Sequence, residues 1–206
     1  SDIVVTAAGG LVGEVVQIWK PKELNTFETE WGFSCMSYEI SGALGIKMAK
    51  PDQDVIVFVG DGSYLLQNSD IYSSVLYDKK LIIIVCDNGG HMVINRLQLA
   101  KGGKEYLCNL KEARATNVEF VDFVSHAKSM GANGEKVSSI SDLESAFMRA
   151  KKSDKTYIIS IKTDGYQWLE GTAFWESPTL EVSSTEENQK AHEEHVEGKN
   201  RQRKGV

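Results

Sequence analysis

The chain has 206 residues, 41% of them hydrophobic and 25% charged, which suffices for one full-sized core with a tail to spare. Its formal net charge of -6 leaves no basic face for a phosphate backbone, so nucleic acid is disfavoured as a partner and small molecules or other chains are expected. Three cysteines, Cys35, Cys86 and Cys108, form no CxxC pair, which argues against a disulfide scaffold or zinc ribbon and fits a reducing cytoplasm.

The chain opens on Ser1, not on Met, and enters an apolar strand almost at once, the expectation for a domain cut from a longer protein. Ile3 to Thr6 reads as a buried β-branched strand that ends at Ala7-Ala8-Gly9-Gly10. Helical periodicity follows over 36–49, then a strand over 55–59, a helix over 65–77 and a strand over 81–86. The latter is far too short to span a bilayer, and no charged-then-apolar leader opens the chain; the expectation is a soluble, cytoplasmic protein without a membrane partner. From 88 to 116 the pattern lapses into Gly, Lys and Asn, and so long a loop inside a compact domain is expected to sit at a site.

Helices are then read over 118–130 and 141–152, the second begun by Ser141-Asp142-Leu143-Glu144 in a capping-box pattern, and a last strand over 156–162. Strand and helix in alternation imply an α/β fold, a doubly wound parallel sheet flanked by helices. Tyr166, Trp168, Phe174 and Trp175 are expected to cover a core or subunit face, or to lid a site. Residues 1–182 form the domain in this reading. Residues 183–206, polar and almost without apolar anchors, form a tail or a loosely docked helix.

Chemistry concentrates at Val59-Gly60-Asp61-Gly62-Ser63, which leaves a strand and opens a helix. The first amides of such a helix favour an anion, the glycines let backbone approach a phosphate, and Asp61 places a carboxylate where a hard cation would neutralise it. The next strand ends at Cys86-Asp87-Asn88-Gly89-Gly90, and neighbouring parallel strands deliver their carboxyl ends to one crevice. The Asp61 carboxylate, the Asn88 amide oxygen and a carbonyl such as that of Gly90 suit magnesium when phosphate oxygens and water complete the shell.

Asn88 follows Asp61 by 27 positions, and Leu44-Gly45, Pro51, Ile56 and Phe58 fall upstream of the GDG turn. In this pattern the chain resembles the thiamine diphosphate enzymes, specifically their C-terminal, diphosphate-binding domain. The resemblance implies thiamine diphosphate and Mg2+ as cofactors, with Asp61, Asn88 and the Gly90 carbonyl on the metal and the backbone of Gly60, Gly62 and Ser63 about the phosphates. It further implies that Met36 wedges the cofactor into a bent shape, with Ser34 and Cys35 beside it, Ser34 standing where many relatives have Gly and offering its carbonyl to the aminopyrimidine. Bending brings the cofactor's own imino nitrogen to its thiazolium carbon, so the cofactor supplies the carbon nucleophile.

The activating glutamate of the family lies in a separate pyrimidine-binding domain, usually across a homodimer or homotetramer interface, and no residue here matches it; the chain by itself is expected to be inactive. The stretches 28–36, 60–64, 94–98 and 166–175 resemble the trihydroxycyclohexane-1,2-dione hydrolases of myo-inositol catabolism, which implies ring-opening cleavage of a carbon-carbon bond in a small-molecule substrate. The alternatives are a decarboxylase, an acetohydroxyacid-synthase-like carboligase, or a non-catalytic cofactor-binding module. A haloacid-dehalogenase-type phosphatase would share the GDG turn, but Ala7 to Gly10 offer no aspartyl nucleophile after the first strand.

His91 follows the metal loop and either contacts cofactor or substrate or is a solvent-facing loop residue. His192 and His195 invite a metal reading, but their spacing within a charged tail fits a solvated helix face better. Cys35 and Cys86 are expected to pack as small apolar residues near strand ends.

Overall fold

The computed structural model describes residues 2–115, 117, 119–169 and 178–202. Among these the elements run β1 (Ile3–Thr6), α1 (Gly10–Ile18), β2 (Phe27–Thr29), α2 (Tyr38–Ala49), β3 (Val55–Gly60), α3 (Asp61–Leu66), α4 (Ser69–Leu76), β4 (Ile82–Asp87), α5 (Met92–Ala100), α6 (Phe123–Ser129), β5 (Asn133–Val137), α7 (Ile140–Lys152), β6 (Tyr157–Lys162) and α8 (Glu186–Arg201). The six strands form one parallel sheet in the order β2-β1-β3-β4-β6-β5, the doubly wound arrangement expected.

Runs such as Ile82-Ile83-Ile84-Val85 are apolar without alternation because a central parallel strand is covered on both faces. Val57, Ile83, Val85 and Ile158 point to one face and pack against Ile40 and Ala43 of α2, Ile71 of α4 and Ala127 of α6. Ile56, Ile82, Ile84 and Ile159 point to the other, against Ala146 and Ala150 of α7 and Val15 of α1. Each such aliphatic side chain stabilises the fold by about 1.5 to 3 kcal/mol of transfer free energy.

Several local expectations need correction. The helix read over 65–77 is two helices, α3 and α4, broken at Gln67 and Asn68, and α3 begins at Asp61 itself. The segment 88–116 is not all loop, since it carries α5. Helix α6 starts only at Phe123, capped by Asp122, whose carboxylate accepts from the Ser125 amide. Helix α7 is capped by Ser139, whose hydroxyl accepts from the Asp142 amide; Ser141, already inside the helix, cannot serve.

The chain leaves β1 toward β2 on one flank and returns to β3 on the other, so the crevice beyond the carboxyl ends of β1 and β3 is the topological switch point, where open α/β sheets bind ligands.

Candidate functional site

In the β3·β4 ladder Gly60 lies opposite Cys86, so Asp61 and the Asp87–Gly90 turn leave the sheet side by side. The turn is held by its own first residue. Asp87 Oδ1 accepts from the Gly89 amide at 3.2 Å and Oδ2 pairs with Lys162 Nζ at 2.6 Å, while Gly89 and Gly90 take positive φ of 83° and 144°. A second segment clamps it, for the His91 amide donates to the Cys108 carbonyl at 2.8 Å and the Leu110 amide to that of Gly89 at 3.0 Å. A side chain at Gly90 would run into the Cys108 carbonyl oxygen, so only glycine fits.

Three expected ligands therefore meet. The Asn88 amide atom facing the turn lies 2.8 Å from the Gly90 carbonyl oxygen and 3.2 Å from Asp61 Oδ1. In the orientation that satisfies its neighbours the Asn88 amide nitrogen donates to both oxygens, and the Gly90 and Gly62 amides also bear on the Asp61 carboxylate; turning the Asn88 amide over would present its oxygen to the same point. Octahedral magnesium with oxygens about 2.1 Å away separates adjacent ligands by about 3.0 Å, close to the two separations at Asn88, so the turn would suit the ion. Asp61 is only 4% exposed and makes no ion pair among the described residues. Burial first, and then the charge on Asp87, push its carboxyl above the ordinary aspartate range, and a divalent cation would relieve both effects.

The other expected residues surround this centre. Gly60 ends β3 and the amides of Gly62 and Ser63 begin α3, which has no side-chain cap. The His91 ring lies over Gly62, where a Cβ would come within 2.7 Å of it, so His91 covers the turn while remaining exposed. Ser34, Cys35 and Met36 lie together in the exposed loop before α2. The Ser34 φ of 51° explains why glycine suits that position, since a left-handed backbone costs other residues about 1 to 2 kcal/mol. Cys35 does not pack as expected: it is exposed, and its amide donates to Glu30. Cys86 is half-buried, with burial pushing its thiol up to about 12.

Three organising residues escaped the sequence reading. Glu30 accepts from the amides of Phe33 at 2.8 Å and Cys35 at 2.7 Å and so shapes the Met36 loop; these bonds hold its carboxyl below the ordinary glutamate range. Asp87 holds the Asn88–Gly90 turn, which the Asx pattern Asp87-Asn88-Gly89 could have revealed. Glu39, buried in the first turn of α2, gave no signal in the sequence.

Of the late aromatics, Trp168 stacks under the Arg96 guanidinium at 4.3 Å, and the Tyr166 hydroxyl accepts from Asn109 at 3.0 Å. Both belong to the α5 side of the crevice and not to the core. Phe174 and Trp175 lie outside the described residues. His192 bonds Thr179 Oγ1 through Nδ1 at 2.9 Å. No helix among the described residues is long and apolar enough to cross a membrane.

Comparison with known proteins matches residues 7–161 to the family model "Thiamine pyrophosphate enzyme, C-terminal TPP binding domain". The chain belongs to this family. Among similar members of known name, the 3D-(3,5/4)-trihydroxycyclohexane-1,2-dione hydrolases of Halalkalibacterium halodurans and Listeria monocytogenes are 37% and 39% identical over 198 and 195 residues, which is 93% and 94% of this chain. The chain spans about 30% of the length of each of these hydrolases. Among solved structures of the fold, the thiamine diphosphate-dependent 4-hydroxybenzoylformate decarboxylase of Rhodococcus jostii superposes with a TM-score of 0.70 at 21% identity, over 80% of this chain and 30% of its own. Benzoylformate decarboxylase of Polynucleobacter necessarius gives 0.65 at 18% identity, over 82% and 31%.

Proposed function

We propose that this chain is the diphosphate-binding domain, over residues 1–182, of a thiamine diphosphate and Mg2+ dependent enzyme, with Asp61, Asn88 and the Gly90 carbonyl as the protein ligands of the ion. The observation that carries this reading is the meeting of the Asn88 amide with the Gly90 carbonyl at 2.8 Å and the Asp61 carboxylate at 3.2 Å, where that carboxylate is buried and makes no ion pair among the described residues. When bound, the cofactor supplies a carbon nucleophile. The chain's own residues bind and orient. Amides at Gly62 and Ser63 hold phosphate oxygens, His91 covers that turn, Met36 supports the bend, and the Ser34 and Cys35 backbone lines the aminopyrimidine side.

The reaction in this reading is the ring-opening carbon-carbon hydrolysis named for the relatives, in a cytoplasmic homodimer or homotetramer whose pyrimidine-binding domain provides the activating glutamate. Support for this substrate comes from the high identity to the hydrolases over almost the whole chain. The test is to titrate thiamine diphosphate into the intact protein with and without Mg2+, then to assay ring opening of trihydroxycyclohexane-1,2-dione. Metal-independent cofactor binding would overturn the ligand assignment, and turnover of a 2-oxo acid in place of the dione would overturn the substrate.

A further inference from the structure

Glu39 is 1% exposed, deep at the start of α2, and no protein cation pairs with it among the described residues. Burying a carboxylate without a cation is costly, and an apolar side chain of similar size would spare that cost. Its surroundings explain what it does instead. Ser63 Oγ donates to both carboxylate oxygens, at 3.0 and 2.9 Å, and the same hydroxyl accepts the Ser37 amide at 2.6 Å. The amides of Ser37 and Ala8 also bear on the carboxylate, from the turn before α2 and the turn after β1. Ser37 is held at a left-handed φ of 79°, and its helix has no side-chain cap.

Ser63 belongs to the turn expected to grip the diphosphate, and Ser37 immediately follows Met36, expected to support the cofactor's bend. We infer that Glu39 is a positioning residue that fixes the separation of these two anchors, the diphosphate turn and the wedge loop, through the Ser63 hydroxyl. The inference rests on the cofactor reading given above. A ligand that must touch both anchors depends on Glu39, whereas one that touches only the diphosphate turn does not.

The experiment compares two probes on the intact protein, thiamine diphosphate and inorganic pyrophosphate, each titrated calorimetrically with Mg2+. Glu39→Ala is expected to weaken thiamine diphosphate about tenfold or more and to leave pyrophosphate within about twofold. Glu39→Leu fills the same buried space without an acceptor for the Ser63 hydroxyl, so it should give the same split and decides the matter if Glu39→Ala does not fold. Equal weakening of both probes, as a general loss of structure would produce, overturns the inference, and so does no weakening of either. If the unsubstituted protein binds neither probe in a Mg2+-dependent way, the cofactor reading itself fails, which is a separate result.

Discussion

The carboxyl edge of the sheet has two halves that treat their polar groups differently. On the side of β5 and β6 the helix starts and the buried carboxylate are satisfied by side chains: Asp122 caps α6, Ser139 caps α7, and Lys162 pairs with Asp87 at 2.6 Å. On the side of β1 and β3 the helices α1, α2 and α3 start at Gly9, Ser37 and Gly60 with no side-chain cap, and Asp61 is buried without an ion pair among the described residues. Both halves share one sheet and similar strands, so strand geometry is not the cause. In the cofactor reading proposed above, a bound ligand would take on the β1 and β3 side the part that side chains take on the other.

Substitutions can break this contrast. The largest effect is expected at Asp61, where Asp61→Ala should lower Mg2+-dependent thiamine diphosphate affinity by about 100-fold or more in calorimetric titration, given that even outer-shell changes at metal sites cost 10 to 100-fold. An Asp61 variant that bound as well as its parent would place the metal elsewhere. On the self-satisfied half, Lys162→Met strips the cation from a buried carboxylate. Because Lys162 is itself half exposed, a loss of about 1 to 2 kcal/mol in urea unfolding is expected, below the figure for a fully buried pair. Ser139→Ala should cost about 1 kcal/mol of stability and leave cofactor affinity untouched.

Glu39 offers a pH test in the cofactor-free protein. Burial raises its carboxyl above the ordinary value of 4.5, so the folded state holds that proton more tightly than the unfolded chain. Its contribution is whole below the ordinary value and is lost as pH rises through the raised one. Glu39→Gln should therefore make thermal stability less dependent on pH across that interval; an unchanged slope would show that the carboxyl does not titrate there. The smallest effect is expected at His195 on the exposed helix α8, where His195→Ala should shift stability by less than about 0.5 kcal/mol.

What the sequence revealed follows the same division. The four central strands were legible because burial on both faces leaves unbroken apolar runs, and the Asp61 and Asn88 turns were legible because glycine brackets them. Strand β5, Asn133-Gly134-Glu135-Lys136-Val137, was not, since an edge strand buries little and its composition reads as a turn. Helix α5 was hidden by burying only Met92 and Asn95, too few positions to print a period. Glu39 and Glu30 were invisible for another reason. Their importance lies in backbone amides and a hydroxyl brought to them by folding, and no spacing in the chain encodes that.

The two flanks of the sheet carry a consequence for assembly. One is β2, only three residues long, and the other is β5, whose outward residues include Lys136 and a Glu135 already engaged by Arg149 and Tyr157. Neither offers a long, flat row of free amides and carbonyls on which another strand could zip. Strand addition at either flank is thereby disfavoured, which turns contact with other polypeptide toward the helices and the crevice.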